Sequence, residues 1–173
     1  MKLKIMVPAL ALAAVLIWAC GETAAQTAKA TLVNAQGQKV GEATLTETAE
    51  GVKIDLRVEN LPPGVHAFHI HEKGACAGPD FASAGGHFNP SGKHHGLKNP
   101  QGPHAGDLPN LTVAPDGRGS ATAVNTLVTL KEGKNSLFQP SGTSLVIHEK
   151  ADDDMTDPAG NAGARIACGP ITK

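Results

Sequence analysis

The segment from Lys73 to Asn110 constrains this chain more than any other part of it. It runs for 38 residues, is rich in Gly, Pro, Asn and His, and has no hydrophobic period. A loop of that length is uncommon in a compact domain unless something holds it. Its surroundings read as strands. Val52, Ile54, Leu56 and Val58 share one face, with Lys53, Asp55, Arg57 and Glu59 opposite, a clean period of two. Asn60-Leu61-Pro62-Pro63-Gly64 breaks the pattern, and Val65 to Glu72 resumes it. Ala30–Val33, Val40–Thr46, Leu111–Val113, Gly119–Val124, Ser144–His148 and Arg165–Cys168 read as further strands. Leu127–Leu130 reads as a short strand or an edge, and Glu149–Gly163 as a second long loop. No amphipathic helix of useful length appears. Short strands separated by turn signals predict an antiparallel sandwich or barrel.

The N-terminus is set apart from that domain. Lys2 and Lys4 precede an apolar run from Val7 to Ala19, too short for a typical membrane span. Residues 1–19 are therefore expected to be a signal peptide for export. Leu16-Ile17-Trp18-Ala19-Cys20-Gly21 resembles a bacterial lipoprotein cleavage site with Cys20 as the lipid-bearing residue. Ordinary cleavage near Thr23-Ala24-Ala25 is the alternative. Residues 20–28 read as a lipid-anchored tether, and 29–173 as the domain. Removing Lys2 and Lys4 takes the formal charge from −1 to −3. No basic run or aromatic platform suggests a nucleic-acid partner. The core must be built from Val, Leu, Ile and Ala, because the domain has no aromatic residue beyond its four phenylalanines.

The chain has eight histidines, and their spacing suits metal ligation. His69 and His71, two apart on a strand, point to one face and form a chelating pair; the alternative is two exposed histidines on a solvent face. His87, His95, His104 and Asp107 lie in the long loop, and three imidazoles with a carboxylate make a closed set that suits structural zinc. His148 ends an apolar strand. Imidazole suits copper and zinc alike. His94 is expected to face solvent, and His66, out of phase with the pair, to be structural.

Three segments occur in order: Gly64-Val65-His66-Ala67-Phe68-His69-Ile70-His71-Glu72-Lys73-Gly74, the stretch His87–Asp107, and Gly160-Asn161-Ala162-Gly163-Ala164-Arg165-Ile166-Ala167-Cys168-Gly169. Together they resemble the copper,zinc superoxide dismutases of the bacterial, exported type, over about Lys29 to Gly169. Ala67 stands where that family usually has glycine, a departure that bears on strand packing and not on metal identity. The resemblance implies an all-β fold, an eight-stranded antiparallel Greek-key barrel or sandwich with two long functional loops. It implies dismutation of superoxide to dioxygen and hydrogen peroxide, with one copper and one zinc per subunit. His69, His71, His87 and His148 would bind copper. His87, His95, His104 and Asp107 would bind zinc, so that His87 bridges the metals and moves a proton. Asp152 would link His69 and His95, although Asp153 and Asp154 adjoin it and the run also reads as ordinary acidic loop. Arg165 would stand over the copper and attract the anion; a lone surface charge is the alternative.

Three cysteines are an odd number for an exported chain. With Cys20 reserved for lipid, Cys76 and Cys168 remain, and the resemblance implies that they form a disulfide; two buried free thiols are the alternative. Export, a cell-envelope location on the periplasmic or outer surface, and membrane contact through lipid on Cys20 are the matching expectations. Both monomers and homodimers occur among such proteins. Two other readings compete with catalysis. A metal storage or delivery protein would want exchangeable Met or Cys ligands. A relative that kept the fold and lost the redox site should lack a copper ligand or the arginine, and this chain lacks neither.

Overall fold

The computed structural model describes residues 25–173. Residues 1–19, expected to be a signal peptide, and Cys20 lie outside the described residues. Nine strands form one antiparallel sheet: β1 (Thr27–Asn34), β2 (Lys39–Glu47), β3 (Val52–Val58), β4 (Gly64–His66), β5 (Phe68–His71), β6 (Leu111–Val113), β7 (Gly119–Asn125), β8 (Ser144–His148) and β9 (Arg165–Pro170). Their spatial order is β4-β6-β7-β3-β2-β1-β9-β8-β5. The two outermost members, β4 and β5, are separated in the chain by Ala67 alone. They are halves of one broken strand. β4 pairs with β6, whereas β5 pairs with β8, so the chain itself joins the two ends of the sheet and nearly closes a barrel. Ala67 stays bonded at the junction, donating to Lys150 O at 2.8 Å and accepting from His148 N at 2.9 Å. Counted this way the barrel has the expected eight strands, and closure hides the sheet edges that would otherwise pair with other chains.

The expected strand Val65–Glu72 is therefore divided, because its two halves hydrogen-bond to opposite ends of the sheet. Two other boundaries differ. Thr27 and Ala28, read from sequence as tether, lie in β1 and pair with Thr46 and Leu45; Ala28 is buried, which fixes the strand start. Leu127–Leu130 is not a strand. Only an isolated bridge joins Thr129 to Ser136, while Val128 and Leu130 bury their side chains in the core. Among the described residues no helix is long and apolar enough to cross a membrane.

The barrel interior is aliphatic. Leu32, Leu45, Ile54, Leu56, Ile70, Leu145 and Ile147 are fully or almost fully buried. Alternation does the sorting. Phe68 and Ile70 of β5 enter this core, so His69 and His71 project from the outer face. That face is also buried, because the long loops lie over it. A second small cluster, Phe81, Ala84, Val146 and Cys168 with Cys76 against it, seals the first loop onto β8 and β9. Cys76 and Cys168 form the disulfide, with Cα atoms 5.6 Å apart.

Candidate metal centre

β5 presents His69 and His71 outward, and β8 ends beside it with His148, since Phe68 pairs with Ile147 and His69 with Val146. The long loop brings His87 to the same place through a bridge to His71. The ligating atoms of His69, His71, His87 and His148 can all lie within 4.8 Å of one another. All four residues are buried. Each ring is fixed through one nitrogen. His69 Nε2 donates to Asp152 Oδ2 at 2.7 Å, His71 Nδ1 to Gly85 O at 2.9 Å, and His148 Nδ1 to Gly163 O at 3.3 Å. The nitrogens left over are His69 Nδ1, His71 Nε2, His87 Nε2 and His148 Nε2, and none has a hydrogen-bond partner.

Unpartnered buried polar atoms each cost about 1–3 kcal/mol. Four on rings so close together fit a metal ion. Three of the rings are also held neutral. Burial pushes His71 down to about 2 and His148 down to about 3. It pushes His87 down to about 4, with Asp107 opposing. Neutral imidazoles offer lone pairs, as ligation requires.

The other nitrogen of His87 faces a second set. His87, His95, His104 and Asp107 also bring ligating atoms within 4.8 Å of one another. Asp107 Oδ1 lies 2.9 Å from His87 Nδ1, 3.1 Å from His95 Nδ1 and 3.4 Å from His104 Nδ1. Its other oxygen accepts the backbone N–H of Gly96 at 2.8 Å and of His104 at 2.9 Å. One carboxylate oxygen is thus used to close the loop and the other left for an ion. Burial alone would raise the Asp107 carboxyl, but the hydrogen bonds from His104, His87 and His95 hold it well below the usual carboxylate range. Three imidazoles and one carboxylate suit tetrahedral zinc with no open position.

Asp152 joins the two sets. Besides His69 it accepts His95 Nε2–H on Oδ1 at 2.9 Å. Burial opposes its ionisation, but these two bonds hold its carboxyl below the ordinary range. The neighbouring aspartates are used otherwise. Asp153 accepts the backbone N–H groups of Met155 and Thr156, and Asp154 pairs with Lys98 at 2.8 Å. Of the three consecutive carboxylates only Asp152 touches a histidine of either set. Gly160 makes this approach possible. A Cβ there would lie 1.8 Å from Asp152 Oδ1, on a backbone with φ +62.

Arg165 is not a loose surface charge. Nη1 donates to Phe81 O at 2.7 Å and Nη2 to Gly85 O at 2.6 Å. Gly85 O is the carbonyl that also holds His71, so the guanidinium is tied to the first histidine set. It lines a depression of about 640 Å³ with Pro79, Asp80, Gly86 and Gly163. His66 is buried between Pro62 O and His148 O, bonded to both, which is the structural role expected. The His94 side chain is about half exposed and faces Asp157.

Sequence reasoning missed three partners. Asn110 clamps Asp152 by accepting its N–H at 2.8 Å and donating to its carbonyl at 3.0 Å. The carbonyls of Gly85 and Gly163 set two ring orientations. Asn110 sits at a loop boundary with no local pattern to mark it. The glycines are legible only as positions where the backbone turns.

The chain matches the family model described as copper/zinc superoxide dismutase (SODC) over residues 39–171. It is 56% identical over 146 residues to "Superoxide dismutase [Cu-Zn] 2" of Aquifex aeolicus, covering 83% of this chain and 85% of that protein. The crystal structure of a SOD-like protein from Bacillus subtilis superposes with a TM-score of 0.79 at 46% identity, covering 82% of this chain and 96% of that one. The Cu/Zn superoxide dismutase from Brucella abortus superposes with a TM-score of 0.69 at 32% identity, covering 84% and 99%. Barrel, paired histidine sets and extended sequence identity agree, and the chain belongs to the copper/zinc superoxide dismutase family.

Proposed function

We propose that this chain dismutates superoxide, with copper held by His69, His71, His87 and His148 and zinc held by His87, His95, His104 and Asp107. One observation carries the reading. Four buried imidazole nitrogens without partners converge, while the far nitrogen of one of them, on His87, turns into a closed set of three histidines and an aspartate. Bound copper supplies a one-electron acceptor and donor, and bound zinc a fixed charge without redox chemistry.

Two superoxide anions and two protons give one dioxygen and one hydrogen peroxide. One anion loses an electron, and the other gains it and takes both protons. The residues around that exchange have separable tasks. Arg165 keeps its positive charge at any working pH, and its two carbonyl bonds hold that charge at the depression, where it attracts an anion. His87 holds a proton at Nε2 between the two halves and passes it to the peroxide, while Nδ1 stays with the second set. Asp152 fixes the tautomer and tilt of His69 and His95 together. Burial of the rings limits water at the ligand nitrogens.

A Bacillus subtilis relative, 46% identical over 153 residues, is named superoxide dismutase-like. A redox-silent member of the fold is the competing reading for this chain. The full ligand sets and the anchored Arg165 argue against it. Metal analysis with superoxide assays before and after copper removal is the test. Copper-dependent dismutation is expected. His148→Ala should abolish it and leave a folded, zinc-containing domain; activity that persists after copper removal, or in that variant, would overturn the assignment.

We also propose that the protein is exported to the cell envelope. The short apolar N-terminal run and Leu16-Ile17-Trp18-Ala19-Cys20 support export and a lipid on Cys20, with residues 20–26 as the tether in the cell envelope. Cys20→Ser should release the protein from membranes with activity unchanged; lipid-free mature Cys20 by mass spectrometry would refute the anchor. A homodimer is compatible with this reading, and sedimentation of the mature chain decides it.

A further inference from the structure

His94 and its partner Asp157 belong to neither histidine set. Asp157 lies in the second long loop, with a side chain 45% exposed. Its two oxygens reach the first loop at consecutive residues. Oδ1 accepts the backbone N–H of His95 at 2.7 Å, and Oδ2 accepts His94 Nδ1–H at 2.5 Å. Nearby the loops meet backbone to backbone. Lys98 N donates to Asp154 O at 3.1 Å, and a Cβ on Gly96 would lie 2.0 Å from that same carbonyl.

The three histidines of the zinc set differ in how their backbones are fixed. His87 is tied to β5 by its bridge with His71. The N–H of His104 goes to Asp107, inside the set itself. The N–H of His95 goes to Asp157, across to the other loop. His95 is also the residue whose ring continues through Asp152 to His69. Asp157 thus fixes the backbone of the zinc-set histidine whose ring is coupled through Asp152 to His69 of the first set.

We propose that Asp157 is a positioning residue for the zinc site. It acts through the main chain of His95, and His94 holds its second oxygen in place. This rests on the assignment of zinc to His87, His95, His104 and Asp107, and it adds a part of the site that comes from the opposite loop. Partners that orient metal ligands typically contribute 10–100-fold to metal affinity.

The test is zinc retention in the purified full-length protein under a competing chelator, with cobalt spectra of the same site. Asp157→Ala should release zinc about 10-fold faster and change the visible cobalt bands. Asp157→Asn keeps an oxygen for the His95 N–H and should restore most of the retention. His94→Ala leaves that bond in place and should cost no more than a few-fold. Melting of the metal-free proteins separates a zinc-site role from a general one, and equal melting temperatures for wild type and Asp157→Ala are expected there. Wild-type zinc release in Asp157→Ala, or no rescue by asparagine, would overturn the proposal. So would an equal fall in stability with and without zinc. None of these readouts uses copper or superoxide, so loss of the dismutase reading would show separately, as wild-type protein without copper-dependent activity.

Discussion

Replacing Cys76 and Cys168 together by alanine should destabilise the metal-free domain by an amount that follows from chain length. The bridge closes a span with a sequence separation of 92. A cross-link of that span removes loop-closure entropy from the unfolded chain worth about 4 to 5 kcal/mol, and measured gains typically run at about 2 to 4 kcal/mol. The bonded sulfurs also sit in the small cluster of Phe81, Ala84 and Val146, so their removal thins the seal of the loop on β8 and β9. Urea unfolding of the metal-free protein is the assay, because bound metal would add its own linkage to the midpoint. A fall of at least about 2 kcal/mol is expected, with a larger m-value as the unfolded chain expands. The site should feel the change as well. Arg165 is held by Phe81 O and Gly85 O, both on the bridged loop, so the second-order rate should fall in copper-loaded variant protein. A stability loss under about 1 kcal/mol with an unchanged m-value would refute the entropic argument.

Asp107→Ala should lower the melting temperature of zinc-loaded protein toward that of chelator-treated protein, because a closed site contributes folding energy; equal melting with and without chelator in the wild type would count against structural zinc. Arg165→Glu should be slower than Arg165→Ala with copper and zinc content intact, and the wild-type rate should fall as salt rises, since screening at 0.1 M acts over about 10 Å. Equal rates for all three proteins at low salt would end the attraction role. For pH, the metal-free folded values of His87, His148 and His71, about 4, 3 and 2, lie below the ordinary 6.5. Below pH 6.5 the unfolded chain binds more protons, so their contribution is full above that pH and is lost as pH falls toward those values. His95 runs the other way: burial would lower it, but Asp107 and Asp152 raise it to about 10, so its contribution is full below 6.5 and fades as pH rises through 10. Urea midpoints in chelator that stay flat from pH 6.5 to 4 would contradict the buried neutral rings.

Much of this was legible because strands write their faces into sequence. The period of two in β3 and the His-x-His spacing of β5 report side-chain direction directly. The long loops report only which residues they contain. That Asp152, and not Asp153 or Asp154, meets the histidines depends on Asn110, 42 positions away, gripping its backbone. The break at Ala67 was likewise hidden, since it follows from which distant strand each half pairs with. Leu127–Leu130 misled because Val128 and Leu130 alternate into the core as a strand would, without a partner strand beside them.

The division of labour between barrel and loops explains where the chemistry sits. The barrel has its own aliphatic core and is nearly closed. The first long loop adds Phe88, Ala105 and Leu108 to that core. Beyond that, the loops are fixed by a disulfide, a carboxylate shared by two histidines, and donor sets whose cost is relieved by ligation. Only His69, His71 and His148 come from strands, and His87, His95, His104 and Asp107 come from the first loop. The first histidine set therefore stands mostly on rigid sheet, and the second mostly on chain that the second set itself must organise. Because His87 belongs to both, order in the loop is transmitted to the strand-borne site through one imidazole ring, and through Asp152 beside it.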